Sequence, residues 1–169
     1  MELYIRDEKT NDIETIDSII VAAFKNVEYS SHTEQFIVRA LRERQKLTIS
    51  LVAVQDGYIV GHVAVSPVNL SSNDSDWYGL GPISVIPNQQ RKGIGVALMY
   101  AAIDRLQKLN AGGCVLLGDP NYYERFGFQP HPNIVLEGVP AQYFQAISFN
   151  NTFPKATVHY DHAFNAVEQ

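Results

Sequence analysis

The stretch LGPISVIPNQQRKGIGVALMYAAIDRLQKL, residues 80–109, decides the fold because it joins the patterns of a strand, a tight turn and a long helix. Its first seven residues are mostly apolar and rich in β-branched side chains, with chain breakers at Gly81-Pro82 and Pro87-Asn88. Apolar side chains then recur at helical spacing at Ile94, Leu98, Ala102, Leu106 and Leu109. The stretch therefore predicts a buried strand that turns sharply into a central helix.

The turn itself, QRKGIG at residues 90–95, has the properties of an anion site. The first N–H groups of a helix have no intrahelical partner and lie at the positive end of the helix dipole. Gly93 and Gly95 lack a Cβ, so a ligand can approach the backbone closely, and Arg91 and Lys92 add positive charge. These features predict a pyrophosphate site. The alternative, left open by the turn alone, is that the two glycines only serve packing.

The spacing of the glycines distinguishes between phosphate-binding motifs. A dinucleotide fingerprint needs a third glycine where Leu98 stands, and the Gly-Lys-Ser/Thr triplet of a P-loop does not occur. Gln90, Gly93 and Gly95 instead form Gln-x-x-Gly-x-Gly after a strand that ends in Val-Ile-Pro. This pattern resembles the acyl-CoA-binding motif of the GNAT superfamily of N-acetyltransferases.

A second motif lies downstream, in the segment DPNYYERFGF at residues 119–128. Asp119 is a predicted N-cap, Pro120 takes the first helical position, and Gly127 ends the short helix. Tyr123, Gly127 and Phe128 resemble the Tyr-x-x-x-Gly-Phe signature of the same superfamily. The doubled tyrosine and the Arg-Phe-Gly-Phe run resemble a branch of small predicted bacterial acetyltransferases.

The element order extends this resemblance over most of the chain. Patterning predicts two helices that end near Phe24 and Arg44, the first with Asn11 as N-cap, and a hairpin turn at Asp56-Gly57. Further strands are predicted at residues 77–86, 114–117, 142–149 and 155–160. The order predicts a mixed α/β (α+β) fold of three layers. In it, a largely antiparallel sheet contains one parallel β-α-β crossover, with helices on both faces. This order also resembles that of the GNAT fold.

Composition sets outer limits on function. A length of 169 residues predicts one domain, residues 1–169. A single cysteine excludes a disulfide framework, and no His/Cys spacing suggests a metal. The net charge of −5 argues against nucleic acid as a general partner. Because no apolar run is long enough to span a membrane and the N-terminal segment is charged, we expect a cytoplasmic protein with no membrane partner, either a monomer or a homodimer.

The GNAT resemblance implies where acetyl-CoA would bind. The pantetheine arm would pair with the backbone of the strand at Ile83, Ser84 and Val85, like an added strand. The pyrophosphate would rest on the turn and first helical residues, namely Gln90, Arg91, Lys92, Gly93, Ile94, Gly95 and Val96. Asn121 would contact the pantetheine arm, and a backbone N–H such as that of Val85 would stabilise the oxyanion.

The resemblance also implies an acid and a base. Tyr123 matches the tyrosine that protonates the leaving thiolate; packing of its ring against Phe128 is the structural alternative. Glu34 is the candidate base for the acceptor amine; its alternatives are a capping box with Ser31 or a chain of water molecules.

The resulting expectation is an N-acetyltransferase that moves an acetyl group from acetyl-CoA to a small-molecule or peptide amine, by direct attack and without a metal. An inactive acyl-CoA-binding sensor of the same fold is the second reading, and an ordinary nucleotide-binding domain is the third.

Overall fold

The computed structural model describes residues 2–167, which form one main sheet between two layers of helices. The strands are β1 Leu3–Asp7, β2 Ile49–Gln55, β3 Tyr58–Leu70, β4 Trp77–Val85, β5 Gly113–Leu117, β6 Ile134–Val135, β7 Phe144–Ser148 and β8 Ala156–Tyr160. The helices are α1 Ile13–Phe24, α2 Glu34–Glu43, α3 Ile94–Lys108 and α4 Pro120–Tyr123, and single 3₁₀ turns connect several elements. The predicted element order is confirmed.

The main sheet has the strand order β1-β2-β3-β4-β5-β7. Its neighbours are antiparallel except for β4 and β5, which run parallel because α3 crosses over between them. The last three residues of β3, 68–70, pair with β8, which in turn pairs with the short β6. The mixed sheet with one central parallel crossover is therefore as the sequence predicts.

Side chains of the central strands point alternately to the two faces of the sheet and pack against the helices on each face. In β2, Leu51 and Ala53 join the cluster that packs under α3, whereas Val52 and Val54 join the cluster under α1 and α2. All but the last of the seven residues of β2 are buried. A strand covered on both faces buries nearly every side chain, as an almost continuous apolar run requires.

The start of α1 differs from the prediction. A 3₁₀ turn covers Thr10–Asp12, so the helix begins at Ile13 with Asp12, and not Asn11, at the N-cap. The Asp12 carboxylate accepts the backbone N–H of Lys9 and an ion pair from Arg6, both at 2.7 Å. Because Asp12 bonds to both Lys9 in the turn and Arg6 in β1, it takes the N-cap position that the sequence suggests for Asn11.

Two features are absent from the part of the chain that the structure describes. Between residues 2 and 167, no helix is both long and apolar enough to cross a bilayer. Over the same residues, no three His, Cys, Asp or Glu side chains converge as a metal ion would require.

Candidate active site

The central feature of the site is a wedge between the two parallel strands. Pairing of β4 with β5 runs only from Trp77 opposite Gly113 to Gly79 opposite Val115. Beyond that point β4 continues to Val85, and no strand among the described residues 2–167 pairs with it on this side. On its other side β4 pairs with β3 around a bulge that sets Gly81 and Pro82 opposite a single residue, and a proline has no N–H to donate. The strands therefore separate.

A cavity of about 830 Å³ occupies the wedge. Aromatic side chains form much of its wall, at Phe24, Tyr29, Tyr122, Tyr123 and Tyr143. Aliphatic side chains of β4 and β5 form most of the remainder, at Leu80, Pro82, Ile83, Leu116 and Leu117. Because this cavity opens at the carboxyl ends of parallel strands, it lies where α/β sheets bind ligands.

Tyr123 projects from α4 into this cavity, and Gly118, the residue after β5, leaves room for its ring. A Cβ added at Gly118 would overlap the Tyr123 ring, so only glycine permits this approach. The ring also meets Tyr122 edge-on, with centroids 4.8 Å apart, and packs obliquely against Phe126. The expected alternative contact with Phe128 is thus replaced by one with Phe126. Burial, helped by the nearby Tyr122, Tyr29 and Asp119, raises the pKa of Tyr123 to about 12.

A second cavity, of about 420 Å³, lies at the start of α3. It is lined by Val85, Gln89, Gln90, Arg91, Gly93, Gly95, Val96, Tyr122 and Arg125. Gly93 is the N-cap with φ +84°, and Arg91 also has a positive φ of +66°. Within residues 2–167, no protein acceptor takes the N–H groups of residues 91–96; the first intrahelical donor is Ala97, which bonds to Gly93. The unbonded N–H groups of residues 93–96 lie at the helix N-terminus and those of residues 91 and 92 just before it, and together they form a ready anion site.

Gln90 holds this turn against the end of β4. Its side-chain Nε2 donates to the backbone carbonyl of Val85 at 2.9 Å. The Gln90 side chain therefore bonds to the protein's own backbone. Its role in the motif is to position the loop.

Tyr122 and Arg125 are site residues that the sequence reasoning missed. Arg125 lies over the Tyr122 ring, with its guanidinium carbon 4.4 Å from the centroid, and its Nε donates to the Tyr122 carbonyl at 2.9 Å. Tyr122 lines both cavities and so stands at their junction. A signal was present in the sequence, because residues three apart in a helix share a face.

Several predicted residues do not reach either cavity with their side chains. Ser84 is 2% exposed and faces the α1 and α2 side, and Ile94 is buried in the core under α3. Lys92 extends into solvent near Gln89, and the exposed Asn121 donates its backbone N–H to Asp119. For Lys92 and Ile94, the backbone N–H groups remain as candidates for binding, whereas the Ser84 backbone pairs with β3 and the Asn121 N–H is taken by Asp119.

Glu34 begins α2, and its side chain does not line the wedge. Its Oε2 accepts from Ser30 Oγ at 2.6 Å, whereas Ser31 bonds to Thr33. The expected capping box with Ser31 is therefore wrong. Glu34 serves the loop before α2 in this structure and is not brought next to Tyr123.

A separate buried cluster lies on the opposite side of β4. Ser50 donates to Glu8, which is held by Arg42 through two hydrogen bonds of 2.9 Å. Ser50 Oγ and His62 Nε2 are 2.8 Å apart, and since the hydroxyl has one proton, His62 is the donor. Burial lowers the pKa of His62 to about 4, with Arg42 adding to this and Glu8 opposing it. The cluster is neutral at His62 and does not line the wedge.

Comparisons with known proteins agree with this geometry. The family model described as acetyltransferase (GNAT) family matches residues 13–128. The Escherichia coli protein named uncharacterized N-acetyltransferase YhbS is 36% identical over 128 residues, which are 75% of this chain and 74% of that protein.

Two solved structures are similar over nearly their whole length. A GNAT family acetyltransferase from Brucella melitensis, in complex with acetyl-CoA, has a TM-score of 0.87 and 42% identity, covering 96% of this chain and 98% of its own. The structure of Escherichia coli YhbS, in complex with CoA, also has a TM-score of 0.87, with 31% identity and coverage of 99% and 94%.

Proposed function

This chain belongs to the GNAT family of acetyltransferases, and from that premise we propose that it transfers an acetyl group from acetyl-CoA to a primary amine. The observation that carries the proposal is the meeting of three features around two adjoining cavities. These are the unpaired edge of β4, the free N–H groups of residues 91–96 and the Tyr123 hydroxyl. We propose further that residues 1–169 form one such domain.

The unpaired edge of β4 suits a pantetheine arm. In an antiparallel ladder, successive residues direct their N–H and C=O groups alternately to the two sides. Ile86 donates to Val60, so Ser84 is paired to β3, while Ile83 and Val85 present their backbone toward the wedge. The amides of the arm would bond there as an added strand does. Because Gln90 already occupies the Val85 carbonyl, Ile83 and the Val85 N–H are the groups left for the cofactor.

The second cavity suits the diphosphate of coenzyme A. The N–H groups of residues 91–96 would bond its oxygens, and the guanidinium groups of Arg91 and Arg125 would neutralise its charge. The complexes of acetyl-CoA and CoA with the two similar structures support this choice of ligand over a nucleotide.

The reaction would proceed by direct attack within a ternary complex. The amine nitrogen adds to the thioester carbonyl, and the Ile83 N–H, which faces the same cavity as Tyr123, stabilises the negative oxygen of the tetrahedral intermediate. Val85, the residue expected from the sequence, lines the cavity assigned to the diphosphate instead. The C–S bond then breaks, the amide forms, and the thiolate takes the proton of Tyr123. Since Glu34 does not line the wedge, we assign removal of the amine proton to solvent water reaching the cavity.

The pKa values of donor and acceptor fit this role through their shared environment. A thiol in water has a pKa of roughly 8.5, well below the value of about 12 for Tyr123. The same burial, however, raises the pKa of a thiol, as it does for Cys114 in the core of this protein. A thiolate released into the apolar wedge is thus a stronger base than in water. This brings the pKa of the thiol closer to that of Tyr123.

Two measurements on one sample test the proposal. Free thiol release from acetyl-CoA is followed over a panel of primary amines, and thermal stabilisation is measured with CoA and with ATP. We expect thiol release that depends on the amine, and stabilisation by CoA alone. Stabilisation by CoA without thiol release on any amine would instead support the inactive sensor, and stabilisation by ATP alone would support a nucleotide-binding domain.

A further inference from the structure

The residues that line the wedge indicate which kind of amine it accepts. An inference about this acceptor rests on the proposed function. Within residues 2–167, the cavity of about 830 Å³ is lined by a single charged side chain, that of Asp119. One Asp119 oxygen caps α4 by accepting the Asn121 N–H at 2.9 Å, which leaves the other oxygen for a ligand. The site therefore offers one negative charge.

The aromatic side chains form the part of the wall away from α3. Phe24 ends α1, Tyr29 stands in the following loop with 94% of its surface exposed, and Tyr143 precedes β7. Rings in this arrangement bind apolar bodies. Among the lining residues they supply no second carboxylate, so a second ammonium group would lose its hydration in the wedge without an ion-pair partner.

The adjoining surface also disfavours a second positive charge. A cavity of about 300 Å³ shares Phe24 with the wedge and is lined by Lys25 and His32, without a carboxylate among its lining residues. An acceptor long enough to leave the wedge on this side would bring its distal end close to the Lys25 ammonium. A polyamine or an aminoglycoside carries just such distal charges.

We infer that the acceptor is a monoamine with an apolar, preferably aromatic, body. Its ammonium group is attracted to Asp119 before deprotonation, and its body packs on Phe24, Tyr29 and Tyr143. This selects arylalkylamines and alkylamines over polyamines.

A matched panel of amines tests the selection. Thiol release at saturating acetyl-CoA is measured with 2-phenylethylamine and hexylamine, and with 1,6-diaminohexane, which shares the hexyl chain and adds only a second ammonium. We expect kcat/KM for the two monoamines to exceed that of the diamine by about tenfold or more, since an unpaired charge costs at least that factor. Equal values, or a preference for the diamine, would overturn the inference.

Binding separates failure of this inference from failure of the proposed function. If no amine releases thiol, the transfer proposal fails. The same amines are then titrated calorimetrically into the CoA-loaded protein. Tighter binding of hexylamine than of 1,6-diaminohexane supports the monoamine inference; equal binding, or none, overturns it.

Two variants locate the recognition without disturbing the fold. Tyr29→Ala should raise KM for 2-phenylethylamine by about fivefold at unchanged kcat, while Tyr29→Phe keeps the ring and the wild-type KM. Asp119→Asn removes the charge, but asparagine caps a helix as well as aspartate does, so it should raise KM for both monoamines and leave CoA affinity unchanged. Unchanged KM in both Tyr29→Ala and Asp119→Asn would refute the assigned wall.

Discussion

Tyr123 holds its proton firmly in the free protein, because its hydroxyl is enclosed by apolar and aromatic side chains. A hydroxyl that stays protonated at every physiological pH is available to donate its proton to the leaving thiolate. We predict that Tyr123→Phe lowers kcat by about 100-fold, the lower end of the range for general-acid catalysis. The ring and its packing remain, so CoA affinity measured by calorimetry should change by less than about twofold. Tyr58→Phe, at an exposed position at the start of β3 and outside both cavities, is the control and should keep the wild-type activity. Wild-type turnover in Tyr123→Phe would remove the acid role.

Gly118, the residue after β5, controls the position of the same hydroxyl. A Cβ at this position overlaps the Tyr123 ring, and the backbone of Gly118 cannot move aside easily, because it bonds to Tyr143 and to Gln145. Gly118→Ala should therefore displace the ring and lower kcat by about tenfold or more. In a double-mutant cycle with Tyr123→Ala, the second substitution should add little, since the ring is already gone. Fully additive losses would contradict the steric explanation.

At the scale of the element, the strand, turn and helix at residues 80–109 follow from local sequence, because breakers, β-branched residues and helical spacing are short-range signals. The free N–H groups of residues 91–96 follow for the same reason. Three features do not. The hydrogen bond from Gln90 to Val85 depends on the exact backbone path of the turn after β4, which residue types alone do not specify. The junction role of Tyr122 and the contribution of Arg125 depend on how the starts of α3 and α4 meet in three dimensions.

The Gln90 bond gives the turn a test of its own. Gln90→Ala should weaken CoA binding by about tenfold, because an unanchored turn must be ordered when the ligand binds. The residue is exposed, so the free energy of unfolding should fall by no more than about 1 kcal/mol. Asn88→Ala is the matched control, since Asn88 is exposed in the same turn and does not line the cavity at the start of α3. Equal CoA affinities for the two variants would show that the bond does not position the site.

At the scale of the whole molecule, the fold could be predicted from element order, whereas interactions between distant elements could not. His62 illustrates this difference: alternation in β3 suggests a half-buried histidine, yet the side chain is 0% exposed. The cause is a cluster that joins β1, β2, β3 and α2 through Glu8, Ser50, His62 and Arg42. The wedge is a similar case, because it arises where β4 and β5 separate after three paired residues, while β5 stays paired with β7, and the lengths of such pairings are set by the whole sheet.

This cluster makes the stability of the molecule depend on pH in a defined window. The pKa of His62 is about 4 in the folded protein and about 6.5 when unfolded, so between these values the unfolded chain binds more protons. Stability therefore falls as the pH is lowered through 6.5. Glu8, whose pKa is also lowered, adds its own loss only below about 4.5.

We predict that the free energy of unfolding, measured by urea titration, falls by about 2 kcal/mol between pH 7 and pH 5. His62→Gln cannot titrate but keeps an amide nitrogen for Ser50, so it should abolish this fall. His159→Gln, at an exposed position of β8, should leave the fall intact. A fall of the same size in His62→Gln would mean that a group other than His62 causes the loss of stability at low pH.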